Sequence, residues 1–383
     1  MGAIRLFLAL AVLYSHIVSH FLAPSGLFAF GNELVLGMNG GYAVMFFFVV
    51  SGFLISFVLE TKYNHSGGTA EFYRARALRI YPLWWALYLI VPFFTWAGLF
   101  TWTGLWSFIA YHHFYDLLSG FFLFGSDLLL SFWTYPMGYT APMPHGLELG
   151  WTLAPELTFY LIAPFVLRSK FLPSLILVSS ILVRIVLNAV ISHDAWAAWC
   201  YYFFPSTVLF FMLGHLTRVL YRKLKLPSWG AWLVLALAAV SLLIQDGRYG
   251  FENSFFYVAI LLFALCLPAI FEATKDNKVS NFLGDLTYSL YLSHGVLIVL
   301  METPGTFMYG ISQGILAFDP SWAGGNAQGV VKALYIILSI SGIAVMLAVG
   351  VHFFIEKPAI KCARAALSLV DRKAPIIAIA LAE

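Results

Sequence analysis

Arg5 and His16 lie eleven residues apart in the first apolar segment of the chain, RLFLALAVLYSH. Because an α-helix rises about 1.5 Å per residue, this spacing predicts an imidazole roughly 16 Å below the arginine, near the middle of a bilayer. An ionisable group is costly to bury at that depth, and such groups are usually functional. The pair therefore indicates a phosphate-binding arginine at one membrane surface and an acid/base histidine within reach of a long thioester arm. The alternative for His16 is a core histidine that only bonds a neighbouring helix.

Three arginines, Arg74, Arg76 and Arg79, crowd the segment FYRARALRIYPLWW. Arg76 and Arg79 are three residues apart, so they share one face of a helix. Guanidinium groups form paired hydrogen bonds with phosphate oxygens, and together with Arg5 they predict a phosphate site. The alternative is the ordinary flanking charge that surrounds the cytoplasmic end of a membrane span.

Glu156, in the segment LGWTLAPELTFYLIAP, lies about five residues into an apolar run. A carboxylate at such a depth needs a partner or a water-filled cavity. We predict a catalytic role, in which Glu156 bonds an acceptor hydroxyl or tunes His16. The alternative is a carboxylate near a helix N-terminus, beside Pro155, that the helix dipole favours.

The segment LGDLTYSLYLSHGVL is unusually polar for an apolar helix. His294 lies eleven residues beyond Leu283, which gives it a predicted depth similar to that of His16. We predict that His294 and Tyr288 contribute to substrate binding in a polar cavity that also contains His16. A hydrogen bond between helices is the alternative.

Other small or polar residues are expected to be structural. Gly52, in MFFFVVSGFLIS, favours close helix packing. Ser51 beside it is expected to bond its own backbone, and the alternative is that it lines a pore. Glu356, in the segment IEKP, is expected to pair locally. His20 lies one turn beyond His16, but neither an HExxH motif nor a nearby carboxylate pattern accompanies them, so no metal site is predicted.

Membrane-spanning helices must position these residues. The 383 residues are 61% hydrophobic and only 10% charged, with a mean hydropathy of +0.87, which excludes a soluble globular protein. The apolar runs are too long for barrel strands, and the basic residues are too dispersed for a nucleic-acid-binding domain. The three cysteines are far apart, without the spacing of a metal site or a disulfide framework. The predicted fold class is an all-α polytopic membrane protein.

Apolar runs predict about ten spans, at residues 5–22, 39–60, 78–98, 151–167, 171–192, 200–217, 228–245, 254–271, 284–302 and 330–354. Residues 105–134 are apolar but interrupted by charged groups, so we expect a re-entrant or interfacial segment between the third and fourth spans. With this topology, all but three of the 21 basic residues lie on the cytoplasmic side. The three exceptions are Arg184, Arg248 and Lys332. Both termini are expected in the cytoplasm, and the first segment is expected to be a retained span and not a cleaved signal peptide. The predicted division is an integral-membrane domain at 1–360 and a short cytoplasmic tail at 361–383.

Six motifs, in this order, make the chain resemble the membrane-bound acyltransferase-3 family, which includes bacterial O-antigen and exopolysaccharide O-acetyltransferases. Arg5 to His16 matches the family's R-x10-H, MFFFVVSGFLIS its FFxxSGFLI, and Arg76 to Pro82 its RxxRI-x-P. Trp151 to Tyr160 resembles WSLxxExxFY, Gly284 to His294 resembles GxxSYxLYLxH, and Glu356 with Pro358 resembles the terminal ExP. Thr152 and Thr287 replace motif serines, and both keep a hydroxyl.

The resemblance implies a ten-span fold in a bacterial inner membrane. It implies an acyl-CoA donor from the cytoplasm, with acetyl-CoA as the default, and transfer to a hydroxyl of a glycan, often at the periplasmic side. Carried over residue by residue, Arg5, Arg76 and Arg79 would bind the CoA phosphates and His16 would be the acid/base. Glu156 is a family position without an assigned role. Some relatives carry a fused SGNH hydrolase-like domain; here the membrane domain is expected to perform the whole transfer or to hand its product to a partner.

The expected mechanism is direct attack of a sugar hydroxyl, deprotonated by His16, on the thioester. A covalent acyl intermediate stays open, although the sequence shows no well-placed serine or cysteine nucleophile. A competing function is that of a transporter or flippase for a glycan or lipid, which would also need polar residues at mid-membrane. It would not need an arginine cluster confined to the cytoplasmic mouth.

Overall fold

The structure, a computed structural model, describes residues 1–27, 40–96, 114–137, 147–192, 195–221 and 254–367. Within these ranges the regular secondary structure is helical throughout, and no β-strand occurs. This architecture confirms the predicted all-α polytopic fold, in which the backbone hydrogen bonds are satisfied inside each span.

The N-terminal helices are α1 Gly2–Ile17, α2 Gly40–Thr61, α3 Gly68–Trp96, α4 Phe114–Phe122, α5 Ser126–Met137, α6 Leu153–Val166 and α7 Leu172–Val190. A π-helical turn, Val18–Leu22, extends α1, and a 3₁₀ turn, Glu148–Thr152, leads into α6. Pro173 lies in the first turn of α7, where its missing N–H breaks no helical hydrogen bond.

The C-terminal helices are α8 Phe204–Leu220, α9 Ser254–Thr274, α10 Lys278–Glu302, α11 Phe307–Leu316 and α12 Gly325–Val351. Asn277 caps α10 by accepting a hydrogen bond from the backbone N–H of Ser280 at 2.9 Å. A π-helical turn, His352–Glu356, continues α12, and the helical path runs on to Leu367. The predicted boundary after residue 360 therefore falls inside a helix, and the division into a domain and a tail stays a prediction.

Seven of the described helical segments are long and apolar enough to cross a membrane, and α8 is apolar but shorter. The predicted spans coincide with α1, α2, α3, α6, α7, α8, α9, α10 and α12. The predicted span at 228–245 lies outside the described residues, so the number of ten stays a prediction. The helix that contains the predicted third span begins earlier than the span: α3 starts at Gly68, and Arg74, Arg76 and Arg79 lie within its second to fourth turns.

The segment between the third and fourth spans folds, where described, into the two short helices α4 and α5. They contain 9 and 12 residues, so they are about 14 and 18 Å long, and neither alone crosses a hydrocarbon core of about 30 Å. Leu123 and Gly125, between them, have φ values of 62° and 74°, which turns the chain sharply. These lengths agree with a segment that enters or lies along the membrane, and its depth there stays a prediction.

Glycines set the closest helix crossings. A Cβ added at Gly52 of α2 would lie 2.0 Å from the carbonyl oxygen of Phe211 in α8, and one at Gly214 of α8 would lie 2.0 Å from that of Val49. The two helices therefore pack backbone to backbone, which confirms the close packing predicted around Gly52. Gly2 of α1 approaches α10 in the same way, since its added Cβ would lie 1.7 Å from the carbonyl oxygen of Ser280.

Arg184, one of the basic residues outside the positive-inside pattern, is buried between helices. Its Nε donates a hydrogen bond to the hydroxyl of Tyr257 at 2.6 Å, and its Nη1 donates to the carbonyl of Cys200 at 2.7 Å. The guanidinium also lies over the rings of Trp196 and Phe210. Carbonyl dipoles and aromatic faces thus stabilise this charge, which explains its position in structural terms.

Candidate active site

Five helices surround a cavity of about 110 Å³. Its charged lining residues are Arg5 from α1, Arg76 and Arg79 from α3, and Glu156 from α6. Its hydroxyl-bearing lining residues come from α2, α6 with its preceding turn, and α10, and they are Ser51, Thr152, Tyr160, Thr287, Tyr288 and Tyr291. A volume of this size has room for several water-sized groups.

The three predicted phosphate-binding arginines meet in this cavity. They form a group with Glu156, and the four side chains have a formal charge of +2. Nε of Arg76 and Nη2 of Arg79 are buried and have no hydrogen-bond acceptor among the described residues. The guanidinium of Arg76 lies 5.6 Å from the ring centre of Phe72 and 5.8 Å from that of Tyr160, which holds it in place without neutralising it. These buried cationic N–H groups can therefore donate hydrogen bonds to a bound anion.

Glu156 accepts two hydrogen bonds in the cavity. The hydroxyl of Ser51 donates to its Oε1 at 2.7 Å, and the hydroxyl of Tyr160, one turn along α6, donates to the same oxygen. The expectation that Ser51 bonds its own backbone is therefore wrong, because the side chain turns toward a carboxylate on another helix. The cavity and its cations explain how this carboxylate is accommodated at such a depth.

Tyr288, for which substrate binding stays a prediction, lines the same cavity. Its hydroxyl donates a hydrogen bond to the carbonyl of Ile80 at 2.7 Å, which joins α10 to α3 just beyond the arginines. Tyr291, one turn further along α10, also lines the cavity, and its hydroxyl lies 3.0 Å from Oγ1 of Thr152. The polar face of α10 thus forms one wall of the cavity.

His16 does not line the cavity that contains Arg5. The two residues share the straight helix α1, so their separation stays near 16 Å. The His16 ring instead lies 5.5 Å from the ring of His294 and 5.9 Å from that of His20. The predicted proximity of His16 and His294 is thus present, but neither histidine lines the cavity that contains Tyr288.

His294 lies between His16 and the wall of the arginine cavity. Its ring centre lies 5.8 Å from that of Tyr291, which lines the cavity, and its other neighbour is His16. Its Nδ1 is 3.0 Å from the carbonyl of Leu290, so this nitrogen carries the proton and Nε2 is an acceptor. In the described part of the chain Nε2 has no hydrogen-bond partner, although it is buried. His20, at the far end of the row, contacts Glu302 at 2.9 Å and is exposed.

Across the described ranges, no three His, Cys, Asp or Glu side chains are positioned to hold a metal ion. Catalytic zinc sites have three ligands from the protein. That no metal takes part stays a prediction.

Glu356 pairs locally, as expected, since its Oε2 lies 2.8 Å from Nδ1 of His352 four residues earlier. The same oxygen also accepts a hydrogen bond from Ser289 of α10 at 2.5 Å. Both Glu356 and His352 are buried. The carboxylate therefore joins α12 to α10 behind the wall that carries Tyr288, and it does not line the cavity.

Tyr160 and Tyr291 are not among the predicted site residues, and Ser51 is predicted to line a pore only as an alternative. Tyr160 lies four residues after Glu156, and that spacing alone places the two side chains on one helix face. Tyr291 lies three residues after Tyr288, with the same consequence. No spacing along the chain indicated the position of Ser51, because its partner, Glu156, lies on another helix.

Comparisons with known proteins show the family of the chain. A sequence profile of the acyltransferase-3 family, described as an acyltransferase domain, matches residues 1–355. Nodulation protein 10 of Rhizobium leguminosarum bv. viciae is 28% identical over 316 residues, which cover 76% of this chain and 80% of the relative. No solved structure matches the chain. The profile match favours acyl transfer over the competing transporter or flippase. A chain that matches this profile over nearly its whole length belongs to the acyltransferase-3 family and is an O-acyltransferase.

Proposed function

We propose that the protein transfers an acyl group, most often acetyl, from cytoplasmic acyl-CoA to a hydroxyl of a glycan or glycosylated acceptor. The assignment of acyl-CoA as the donor rests on one observation. Three guanidinium groups and one carboxylate share a cavity, and buried N–H groups of Arg76 and Arg79 lack acceptors in the described structure. A buried donor without a partner costs free energy, and a phosphate group would satisfy it.

Arg5, Arg76 and Arg79 bind the phosphates of CoA in this proposal. In this proposal the adenosine end stays at the cytoplasmic mouth, and the narrow pantetheine arm extends from the arginines toward His16. The positive-inside distribution of basic residues supports entry from the cytoplasm. No metal takes part in this proposal, since thioesters are already activated toward acyl transfer.

His16 acts as acid/base for the acceptor. It belongs to a row of polar side chains that starts at Tyr291 on the cavity wall and continues through His294 and His16 to His20. His20 contacts Glu302 at the exposed end of α10. A hydroxyl that approaches from this side, which the predicted topology makes periplasmic, would meet His16 before the cavity.

The acceptor class comes from the family. The family resemblance implies a glycan acceptor at a bacterial inner membrane, and the distribution of basic residues predicts that both termini are cytoplasmic. Protein partners are not part of the proposal.

Detergent-purified protein and labelled acetyl-CoA test the proposal. The expected result is release of free CoA thiol and transfer of label to a cell-surface glycan acceptor. Mass spectrometry of surface glycans from cells with and without the gene identifies the acceptor as the species that loses its acyl mass. Absence of acyl-CoA binding together with absence of CoA release would refute the donor assignment.

A further inference from the structure

His294 is a buried group to which the proposed mechanism gives no task of its own. Its side chain has an exposed fraction of 0%. Its Nδ1 lies 3.0 Å from the carbonyl oxygen of Leu290, so Nδ1 carries the ring proton and Nε2 carries a lone pair. Nε2 is buried and has no hydrogen-bond partner among the described residues. Because an unpaired buried acceptor costs free energy, this lone pair indicates a donor that meets it during function.

Two rings contact His294 in the described structure, and only one of them has an N–H to offer. The ring of Tyr291 lies 5.8 Å away, and its hydroxyl is already in contact with Oγ1 of Thr152 at 3.0 Å. The ring of His16 lies 5.5 Å away, measured between centres. Two imidazoles joined by an N–H···N bond of about 3 Å have centres about 5.3 Å apart, since each nitrogen lies about 1.2 Å from its ring centre. A small rotation of the two rings is therefore enough to form this bond.

His16 needs such a partner if it is to act as a base. A neutral imidazole has one N–H and one lone pair, and only the nitrogen with the lone pair takes up a proton. His16 is partly exposed, whereas His294 is enclosed, so an acceptor hydroxyl reaches His16 first. The nitrogen of His16 that faces the hydroxyl must be the unprotonated one, and a hydrogen bond to the other nitrogen determines this.

His20 is less suited to hold His16 in one tautomer. Its ring centre lies 5.9 Å from that of His16, slightly further than the ring of His294. Its Nδ1 contacts Glu302 at 2.9 Å, and both side chains are about two-fifths exposed. Water competes for the second nitrogen of an exposed imidazole, whereas Nε2 of His294 is enclosed by protein.

We propose that His294 is a positioning residue for His16: its Nε2 accepts a hydrogen bond from one ring nitrogen of His16, and the lone pair of the other nitrogen then faces the acceptor hydroxyl. This inference rests on the proposed function, because it assumes that His16 is the acid/base. It gives His294 a role that acts through His16, in place of the predicted contact with the substrate.

The proton then follows a closed path. The acceptor hydroxyl gives its proton to the free nitrogen of His16 while its oxygen attacks the thioester carbonyl carbon. A C–O bond forms, the C–S bond breaks, and the CoA thiolate leaves. His16 is cationic at this stage, so its hydrogen bond to His294 becomes charge-assisted and stronger. His16 finally gives the proton to the thiolate sulfur, and the sum is acyl-CoA and alcohol giving ester and CoA thiol.

Two substitutions at position 294 separate the two ring nitrogens. The amide of asparagine takes the place of Nδ1, so His294→Asn keeps a donor for the carbonyl of Leu290 and loses the acceptor at Nε2. The amide oxygen of glutamine takes the place of Nε2, so His294→Gln keeps an acceptor for His16 and loses the donor to Leu290. We expect faster transfer in His294→Gln than in His294→Asn. A residue that acts only through its bond to Leu290 gives the opposite order.

Transfer is measured in membranes of a strain that lacks the native gene and produces each variant, so that the native acceptor is present. Initial rates with labelled acetyl-CoA give the maximal rate per mole of protein and the concentration at half-maximal rate. A general base contributes about 10²- to 10⁴-fold, so its loss of orientation in His294→Asn should lower the maximal rate about 10- to 100-fold. The half-maximal concentration, and the Kd for CoA by calorimetry, should stay near wild type, because His294 does not line the arginine cavity.

Ser293→Ala is the matched control. Ser293 is the neighbour of His294 on α10, it lies outside the cavity lining, and its buried Oγ has no hydrogen-bond partner in the described part of the chain. Its removal breaks no hydrogen bond, so this variant should keep the wild-type maximal rate. Thermal unfolding of each variant shows whether it is folded.

A measurement on the wild-type protein keeps the test decisive if both variants at position 294 unfold. NMR of protein labelled with ¹⁵N-histidine distinguishes a protonated from an unprotonated ring nitrogen, and the signals absent from His16→Gln belong to His16. We expect one protonated and one unprotonated nitrogen for His16, which is a single tautomer.

The proposal is overturned if folded His294→Asn transfers as fast as the wild type or as fast as His294→Gln. It is also overturned if the nitrogens of His16 show a mixture of two tautomers in the wild-type protein. Both results leave the proposed function intact. If the wild-type protein neither binds acyl-CoA nor releases CoA, the proposed function fails, and the positioning role of His294 fails with it.

Discussion

Replacing Arg79 with alanine is expected to weaken CoA binding without destabilising the ligand-free protein. Nη2 of Arg79 is buried and, within the described structure, bonds no acceptor, so the substitution breaks no hydrogen bond through that atom. A hydrogen bond from a charged group to a ligand contributes about 1.5–3 kcal/mol. The Kd for CoA should therefore rise about 10- to 150-fold. The ligand-free protein loses one buried cation from a cluster of three, so its Tm should stay the same or increase.

Isothermal titration calorimetry with CoA, on protein in one detergent, measures the Kd, and thermal unfolding without CoA measures the Tm. Arg364→Ala is the matched control, because Arg364 is an exposed arginine that does not line the cavity. Its Kd should equal that of the wild type. Arg79→Lys keeps the charge and loses the planar donor pair, so its Kd should fall between those of Arg79→Ala and the wild type.

Two results would refute the reasoning. A wild-type Kd in Arg79→Ala would show that this guanidinium does not meet the phosphates. A large loss of Tm in the ligand-free variant would show that Arg79 is a structural group and that weaker binding follows from a damaged fold.

Three further predictions concern the cavity, the histidine row and the helix crossing. Glu156→Gln leaves the cavity lining with a formal charge of +3, so calorimetry should show CoA binding kept or tightened while transfer falls about 10²- to 10⁴-fold; weaker CoA binding would contradict the charge argument. His16→Ala should abolish transfer to the acceptor and leave the Kd for CoA nearly unchanged, because His16 lies outside the cavity; full transfer would remove it from the chemistry. At Gly52 even an added Cβ would lie 2.0 Å from a carbonyl oxygen of α8. Gly52→Leu therefore requires α2 and α8 to separate by about 1.4 Å, so that this distance reaches 3.4 Å. Gel filtration should show a loss of folded protein. Gly342→Leu, at a position with no atom within 4 Å, is its control and should elute as the wild type does.

The sequence by itself determined the helical membrane fold and several relations along single helices. Long apolar runs cannot leave backbone groups unpaired in lipid, so they specify helices wherever they occur. Arg76 and Arg79 are three residues apart, and His352 and Glu356 are four apart, so each pair shares one face of its helix. The sequence suffices for this because the helix period is a local property of the chain. The order of six motifs indicated the family over nearly the whole length.

Only the tertiary structure decided which helices contribute to the cavity. Ser51 of α2 meets Glu156 of α6 across 105 residues of sequence, and nothing in either segment encodes that contact. It depends on how closely α2 packs against its neighbours, which the glycine crossing with α8 sets. Eleven residues place His16 on nearly the same face of α1 as Arg5 but about 16 Å further along the axis, and His16 does not line the cavity. Depth and face along one helix follow from residue number, whereas the side chains that other helices bring to that face depend on how the helices pack together.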